Sequence, residues 1–144
     1  MVRCSCLCKS VEFEANFTTP NYSVCHCKDC RKWTGGVFMS LSAGKDLNFK
    51  NEASIGRYSH SSWAERGFCK KCGTNLFYRM KKSNHYFLML GVIDDEISLN
   101  FDEQQFIDKK PNHFSFKNTT KVISKREMKI MLDDYLKKKN WLTL

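Results

Sequence analysis

All eight cysteines of the 144-residue chain fall into three short groups. The groups occupy residues 4–8, 25–30 and 69–72, with the patterns C-x-C-x-C, C-x-C-x-x-C and C-x-x-C. Thiolates at these spacings can converge on one soft cation, because a tight turn is enough to aim neighbouring sulfurs inward. A structural zinc takes four such ligands, whereas a catalytic zinc takes three protein ligands and keeps one position open. The way in which the three cysteine groups divide between metal sites, of which we expect two, therefore constrains both the fold and the function.

Length and composition favour one globular domain in a reducing compartment. The chain is 42% hydrophobic and 13% aromatic, which argues against disorder, and it is long enough to bury a core without disulfides. It contains no apolar run of about 18 residues and no signal-peptide core at its start, so we expect no membrane span or secretion. We therefore predict a cytoplasmic protein, in which clustered cysteines serve as metal ligands rather than disulfides.

The formal net charge of +9 is concentrated near the C-terminus. Residues 117–139 contain eight Lys or Arg against three acidic residues. A basic surface attracts anions in general, so it suits nucleic acid, an acidic membrane or a small anionic substrate. A solvated helix face that keeps the protein in solution is an equally good interpretation.

The hydrophobic pattern predicts a mainly β domain followed by a helix. Short strand-like segments separated by turn residues occur at 11–15, 37–41, 55–59, 75–80 and 85–93, which is typical of an all-β architecture. Ser124 and Glu127 form a capping box, and apolar residues then recur at helical spacing to about Lys139. We therefore divide the chain into a zinc-binding domain at 1–120 and a basic helical extension at 121–144.

The three cysteine groups differ in what they offer a metal. The first and third groups each supply a ligand pair, and a site built from two pairs is closed and contributes to folding. The central group supplies three thiols within six residues, which leaves a fourth position for a substrate thiolate or water. His26 is an alternative fourth ligand, but in an extended C-x-C segment its side chain points away from the sulfurs.

The order of these motifs closely resembles the glutathione-dependent formaldehyde-activating enzyme family, whose domain also occurs in centromere protein V. The resemblance spans about residues 4–116. The residues that carry it are Cys6-Leu7-Cys8, Val11, Phe13, Cys25-His26-Cys27-Lys28-Asp29-Cys30-Arg31, Thr34-Gly35, Cys69, Cys72-Gly73-Thr74 and Leu76-Phe77.

The resemblance implies an Mss4-like fold of small antiparallel β-sheets with zinc knuckles and two zinc ions per chain. The structural zinc would be held by Cys6, Cys8, Cys69 and Cys72. The second, open zinc would be held by Cys25, Cys27 and Cys30. Members of the family are carbon–sulfur lyases that act on the adduct of glutathione and formaldehyde. Cys4 is then left over, either as an incidental thiol or as an alternate ligand of the first site.

The chain departs from the family pattern at two positions within the matched region. Lys9 stands where the family usually carries Gly after its first C-x-C. Lys110 and Pro111 lead to His113, whereas in the family a tryptophan commonly follows that Lys-Pro pair. The helix after residue 124 lies outside the part that resembles the family.

If the central group is an open site, its neighbours are candidates for binding glutathione. Arg31, Lys28 and Lys32 are the nearest cations for the two carboxylates of that peptide, and Trp33 is placed to wall the pocket. Arg31 adjoins the last ligand and belongs to the family motif, so it is also a catalytic candidate. Each of these residues also has an ordinary structural interpretation. Lys28 and Lys32 are typical of a solvated surface, Trp33 is typical of a core, and Asp29 is typical of a turn.

Three functions are consistent with these residues. We favour a zinc enzyme that forms or breaks a carbon–sulfur bond in a small-thiol adduct such as S-hydroxymethylglutathione. The alternative is a non-catalytic binding module whose basic surface contacts a protein partner or nucleic acid, the latter a partner we do not favour. In a third interpretation both zinc ions are structural and Cys4 or His26 closes the second site. The oligomeric state is left open.

Overall fold

The computed structural model describes residues 1–45 and 47–138 of the chain. Within these residues the chain forms eleven strands and two α-helices. The strands are β1 (Val2–Ser5), β2 (Glu12–Ala15), β3 (Asn21–Cys25), β4 (Phe38–Gly44), β5 (Leu47–Lys50), β6 (Ile55–Tyr58), β7 (Ala64–Cys69), β8 (Asn75–Met80), β9 (His85–Met89), β10 (Asn100–Gln105) and β11 (Lys121–Ile123). The helices are α1 (Lys28–Thr34) and α2 (Lys125–Lys137). The prediction of a mainly β fold with a C-terminal helix is confirmed.

The chain folds into two compact units. Of the described residues, the first unit consists of those within Met1–Pro20 and Ser40–Ser98, and the second of those within Asn21–Met39 and from Leu99 to Lys138. Each unit contains one of the two sets of cysteines that the sequence analysis assigns to metals, so each set is described within its own unit.

The first unit holds its core between short antiparallel ladders. One sheet has the strand order β1-β2-β5, and in it Phe13 lies opposite Phe49 with ring centroids 5.0 Å apart. The other ladder runs β4-β9-β8-β7-β6. The alternation in β2 buries Phe13 and Ala15 and leaves Glu12 exposed, as expected of a half-buried strand. These side chains join the buried cluster that includes Leu76, Phe77 and Leu88.

The second unit is built on parallel pairing. β10 lies between β3 and β11 and pairs parallel with both, so that Cys25 on β3 is level with Gln105 on β10. Tyr22 and Phe101 stack across this pair with ring centroids 5.1 Å apart. The parallel pairs and strand β10 were not predicted, because the pattern of one strand does not identify its partner. Their consequence is that the end of β3 is fixed by a strand about 80 residues later in the chain.

Helix α2 begins where the capping box predicts. Ser124 is the N-cap, and its Oγ accepts a hydrogen bond of 3.2 Å from the backbone N–H of Glu127. None of the residues of α2 is buried, and Ile130 and Met131 are 60% and 54% exposed. The helix ends at Lys137, while the predicted end at Lys139 and the rest of the extension lie outside the described residues.

Candidate metal centres

Four thiols converge in the first unit, and we refer to them as the four-thiol group. Their Sγ atoms all lie within 4.8 Å of one another. The Sγ of Cys8 is 3.7 Å from that of Cys6 and 3.8 Å from that of Cys69, which is 61 residues away in sequence. The members of the group are Cys6, Cys8, Cys69 and Cys72. Four cysteine sulfurs in one cluster are the donor set that suits a structural zinc ion.

Two tight turns present these thiols, one closed over three residues and the other over four. The N–H of Lys9 donates to the carbonyl of Cys6 over 3.1 Å, and the N–H of Gly73 donates to the carbonyl of Cys69 over 2.9 Å. Lys9 and Gly73 both have positive φ angles, 62° and 76°. This conformation favours glycine because a Cβ crowds the backbone there. It gives a physical reason for the glycine that the family usually carries at the position of Lys9.

Hydrogen-bond donors surround the four-thiol group and favour ionised sulfurs. The hydroxyl and the N–H of Thr74 lower the pKa of Cys72 to about 5, and the hydroxyl of Ser10 lowers the pKa of Cys8. Burial raises the pKa of Cys6 to about 11, although the N–H of Val11 donates to its Sγ over 3.3 Å. A cation at this group would offset the cost of ionising the buried thiol, so the donor set fits a zinc ion.

Three thiols converge in the second unit, and we call them the three-thiol group. Cys25 ends β3, Cys27 is the N-cap of α1, and Cys30 lies in the first turn of that helix. Their Sγ atoms lie within 4.8 Å of one another. The Sγ of Cys27 accepts a hydrogen bond of 3.3 Å from the N–H of Cys30, and the neighbouring thiols of Cys27 and Cys30 raise the pKa of Cys25. The group fits a zinc ion with three protein ligands.

Within residues 1–45 and 47–138, no histidine, carboxylate or fourth cysteine joins the three-thiol group. His26 lies between two of its members in sequence, yet its ring is directed elsewhere. The His26 Nε2 is 2.9 Å from Oε1 of Gln104, and the residue is 1% exposed. Burial, with smaller contributions from Lys110 and Arg31, lowers the pKa of His26, so the ring is neutral near pH 7. The side chain points away from the sulfurs, as the extended C-x-C geometry predicts.

The predicted binding residues beside the three-thiol group are spread over helix α1. Lys28, Asp29 and Lys32 are exposed on it, and Trp33 is half-buried with its ring centroid 6.2 Å from that of Phe38. Arg31 is half-buried, and its Nε donates to the carbonyl oxygen of His26 over 2.9 Å. The two terminal nitrogens of Arg31 are therefore the part of its guanidinium that is suited to a ligand. The short helix itself was not predicted, because seven residues carry little periodicity.

Cys4 belongs to neither group of thiols. It is buried on β1, and burial, followed by the nearby Asp94 and Asp95, raises its pKa to about 12. It is therefore a protonated core side chain, which corresponds to the incidental thiol of the sequence analysis. Sequence reasoning did not identify Gln104, Ser10 or Thr74 as supports of the two groups. Ser10 and Thr74 each stand two residues after a cysteine, a spacing that could have indicated them.

Comparison with known proteins gives one family and several relatives. The family model described as glutathione-dependent formaldehyde-activating enzyme matches residues 1–109. A Schizosaccharomyces pombe protein named as an uncharacterized lyase is 35% identical over 125 residues, which cover 86% of this chain and 91% of that protein. A putative glutathione-dependent formaldehyde-activating enzyme of Penicillium rubens is 29% identical over 73% of this chain and 57% of its own length. A protein of the same name from Podospora anserina is 31% identical over 65% of this chain and 46% of its own length.

Among solved structures, the crystal structure of a Rhodobacter sphaeroides protein is similar to this one with a TM-score of 0.58. The match is 19% identical in sequence and covers 66% of this chain and 90% of that protein, so it shows a shared fold. In the described part of the chain, no helix is long and apolar enough to cross a membrane.

Proposed function

Because the chain belongs to the glutathione-dependent formaldehyde-activating enzyme family, we propose that it is a zinc-dependent carbon–sulfur lyase-type enzyme. Its substrate would be an adduct of glutathione or another small thiol, such as S-hydroxymethylglutathione. The observation that supports this proposal most is the contrast between the two thiol groups. One offers four sulfurs, and the other offers three with no further His, Cys, Asp or Glu from the described residues. Three ligands and a free position are typical of catalytic zinc.

Under this proposal Cys6, Cys8, Cys69 and Cys72 hold a structural zinc ion, and Cys25, Cys27 and Cys30 hold a second one. A zinc ion at the three-thiol group would favour the thiolate form of a thiol bound at its free position. In this proposal the terminal nitrogens of Arg31 and the ammonium of Lys28 would bind the carboxylates of glutathione. The half-buried ring of Trp33 would exclude water from one side of the substrate.

The reaction itself is a reversible addition. In the synthetic direction the thiol sulfur bonds to the carbonyl carbon of formaldehyde, and the thiol proton ends on the carbonyl oxygen. In the reverse direction the hydroxyl proton returns to sulfur as the carbon–sulfur bond breaks. The protein needs no redox cofactor for this exchange. Arg31 would hold the substrate through a carboxylate, because its Nε already anchors the residue to the carbonyl of His26.

The test is to measure zinc per chain by elemental analysis and the binding of reduced glutathione by calorimetry on the same preparation. We expect two zinc ions and glutathione binding in the wild type. The Cys27→Ser variant should retain one zinc and lose glutathione binding. The Cys4→Ala variant is the matched control and should retain two zinc ions, since Cys4 lies outside both groups. Two retained zinc ions without binding of glutathione, or of other small thiols tried in its place, would rule out the enzyme.

A second candidate is the non-catalytic binding module, and the exposure of α2 favours it. Its basic side chains Lys125, Arg126, Lys129 and Lys137 are all exposed. If they bind nucleic acid, affinity should fall steeply with salt, and replacing Lys137 and Lys138 by Gln should flatten that dependence. A salt-independent or undetectable interaction would remove this candidate. The cytoplasmic location remains a prediction under either function.

A further inference from the structure

His26 occupies an unusual place for a buried polar residue. It lies between Cys25 and Cys27, two members of the three-thiol group, and is 1% exposed. Its ring faces an aromatic wall, with centroids 6.0 Å from the ring of Phe114 and 6.3 Å from that of Phe116. A histidine beside metal ligands is itself a common ligand, but this one is turned away from the sulfurs. Its contacts show what it does instead.

The ring is held by a chain of side-chain hydrogen bonds within the second unit. The amide nitrogen of Gln104 donates to Oγ1 of Thr120 over 3.1 Å, which leaves Oε1 of Gln104 to accept from Nε2 of His26 over 2.9 Å. Gln104 is also buried. A buried donor without an acceptor costs free energy. The hydrogen bond to Gln104 therefore holds the His26 ring in this orientation, and the ring would lose that restraint without Gln104.

The backbone of His26 connects the two halves of the three-thiol group. Its N–H donates to the carbonyl of Gln105 over 2.9 Å, which extends the pairing of β3 with β10 past Cys25. Its carbonyl oxygen accepts from Nε of Arg31 over 2.9 Å, and Arg31 directly follows Cys30 on α1. One residue thus fixes the C-x-C segment to the strand on one side and to the helix on the other.

We infer that His26 is a positioning residue that, through Gln104, holds the three thiols in the geometry that binds metal. The inference rests on the proposed zinc ion at the three-thiol group. His26 would act as an outer partner of the ligands, through its backbone rather than through the metal. Outer partners of this kind change metal affinity by about 10- to 100-fold when they are removed. The four-thiol group belongs to the first unit, whereas His26 and Gln104 belong to the second, so its metal affinity should be indifferent to both.

The test compares substitutions at two adjacent positions of β10. Gln104→Leu removes the acceptor at similar volume, and Gln104→Glu keeps an acceptor oxygen while the hydroxyl of Thr120 donates to it. Gln105→Leu is the matched control, because the Gln105 side chain bonds to Glu103 and only its backbone carbonyl reaches His26. Each full-length protein is titrated with zinc in competition with a chromophoric chelator. Cadmium-113 resonances of the cadmium-loaded proteins then assign each change to the three-thiol or the four-thiol group.

We expect Gln104→Leu to weaken metal binding at the three-thiol group by about 10- to 100-fold and to shift only its cadmium resonance. Gln105→Leu should bind metal like the wild type, and Gln104→Glu should lose less affinity than Gln104→Leu, because it keeps the acceptor although it buries a carboxylate. If Gln104→Leu does not fold, Thr120→Val should weaken the same site to a smaller extent. Unchanged affinity in Gln104→Leu, or equal losses at both groups, would overturn the inference. A single cadmium resonance in the wild type would instead remove the proposed open site, and this inference with it.

Discussion

Lys9 directly follows Cys8 of the four-thiol group and has a backbone conformation that disfavours a residue with a Cβ. Its φ of 62° is positive, as is that of Gly73, which likewise directly follows the second cysteine of its ligand pair. A residue with a Cβ pays about 1 kcal/mol in this region relative to glycine. The chain therefore retains a turn geometry that its own sequence disfavours, because the turn aims Cys6 and Cys8 at Cys69.

Replacing Lys9 by Gly should raise the free energy of unfolding by about 1 kcal/mol, since the strain at φ 62° is relieved. The measurement is urea unfolding of the zinc-loaded protein. Lys9→Ala is the matched control, because it removes the same long side chain but keeps a Cβ at the strained position. If the free energy of unfolding rises equally in both variants, the increase comes from losing the lysine side chain and not from relieving backbone strain.

At the scale of single residues, cysteine spacing in the sequence distinguishes metal ligands from other cysteines only in part. Cys4 stands two residues before Cys6, the same spacing that joins Cys6 to Cys8, so spacing alone does not exclude it. The structure does, because β1 directs Cys4 into the core beside Val2 while the following turn carries the next two thiols together. The role of Gln104 could not be predicted from the sequence for a similar reason. A glutamine on an unpredicted strand has no local feature that connects it to a histidine 78 residues away.

At the scale of elements, one carboxylate joins three neighbouring strands of the first unit. Glu65 on β7 accepts from Arg57 on β6 over 2.6 Å and from Arg79 on β8 over 2.8 Å. Glu65 is 8% exposed, and burial opposes its ionisation. The hydrogen bonds from Arg79 and Arg57 outweigh burial, so the pKa of Glu65 lies below its usual value. The cluster therefore holds the order β6-β7-β8 by charge as well as by backbone pairing.

Replacing Glu65 by Gln should lower the free energy of unfolding by about 2 kcal/mol, because it leaves two partly buried guanidinium groups without their carboxylate. Since the pKa of Glu65 is lowered on folding, its contribution is fully present above the unfolded pKa of about 4.3 and is lost as the pH falls through the lower folded value. The loss caused by the substitution should therefore be equal at pH 7 and pH 5 in urea unfolding. Glu52→Gln, at an exposed carboxylate 3.4 Å from Arg57, should cost less than about 0.5 kcal/mol. A difference that has already vanished at pH 5 would contradict the assignment.

The elements that could be predicted are those with a strong local signal. Strand β8 was predicted with the bounds that the structure shows, because four of its six residues are aromatic or large and apolar, and α2 begins directly after its predicted cap. Strand β10 was missed because polar residues dominate it, at Asn100, Asp102, Glu103 and Gln104. It is a strand because it lies between two partners, which is a tertiary effect. Helix α1 depends on its two caps, Cys27 and Gly35, more than on periodicity.

At the scale of the whole molecule, the two thiol groups and helix α2 make separable contributions. Neither group draws on α2, and no residue of that helix is buried. Strand β11, in contrast, pairs with β10 next to Gln104, and Thr120 directly precedes it. The division of the chain at residue 120 remains a prediction. Two truncations test it, one that ends after β11 and one that ends before it.

A chain that ends after Ile123 should keep two zinc ions and nearly the wild-type midpoint of thermal unfolding, with a smaller helical signal in circular dichroism. A chain that ends after Asn118 also lacks β11 and Thr120, so the zinc at the three-thiol group should be released more readily while the other is retained. Elemental analysis after mild chelation measures how much zinc each truncated protein retains. Loss of zinc from the longer truncation would show that α2 supports a metal site.

The different spans of the two thiol groups also set an order of events at the ribosome. The three-thiol group is complete within six consecutive residues, so its ligands emerge together. Cys8 must wait for Cys69, which is synthesised 61 residues later, an interval of about 3 to 12 s at ordinary elongation rates. During that interval the nascent chain exposes an incomplete pair of thiols beside a complete triad. The ligands of the site proposed to handle substrate are thus synthesised before those of the site proposed to hold the fold together, but Gln104, which we infer positions them, follows only after Cys72.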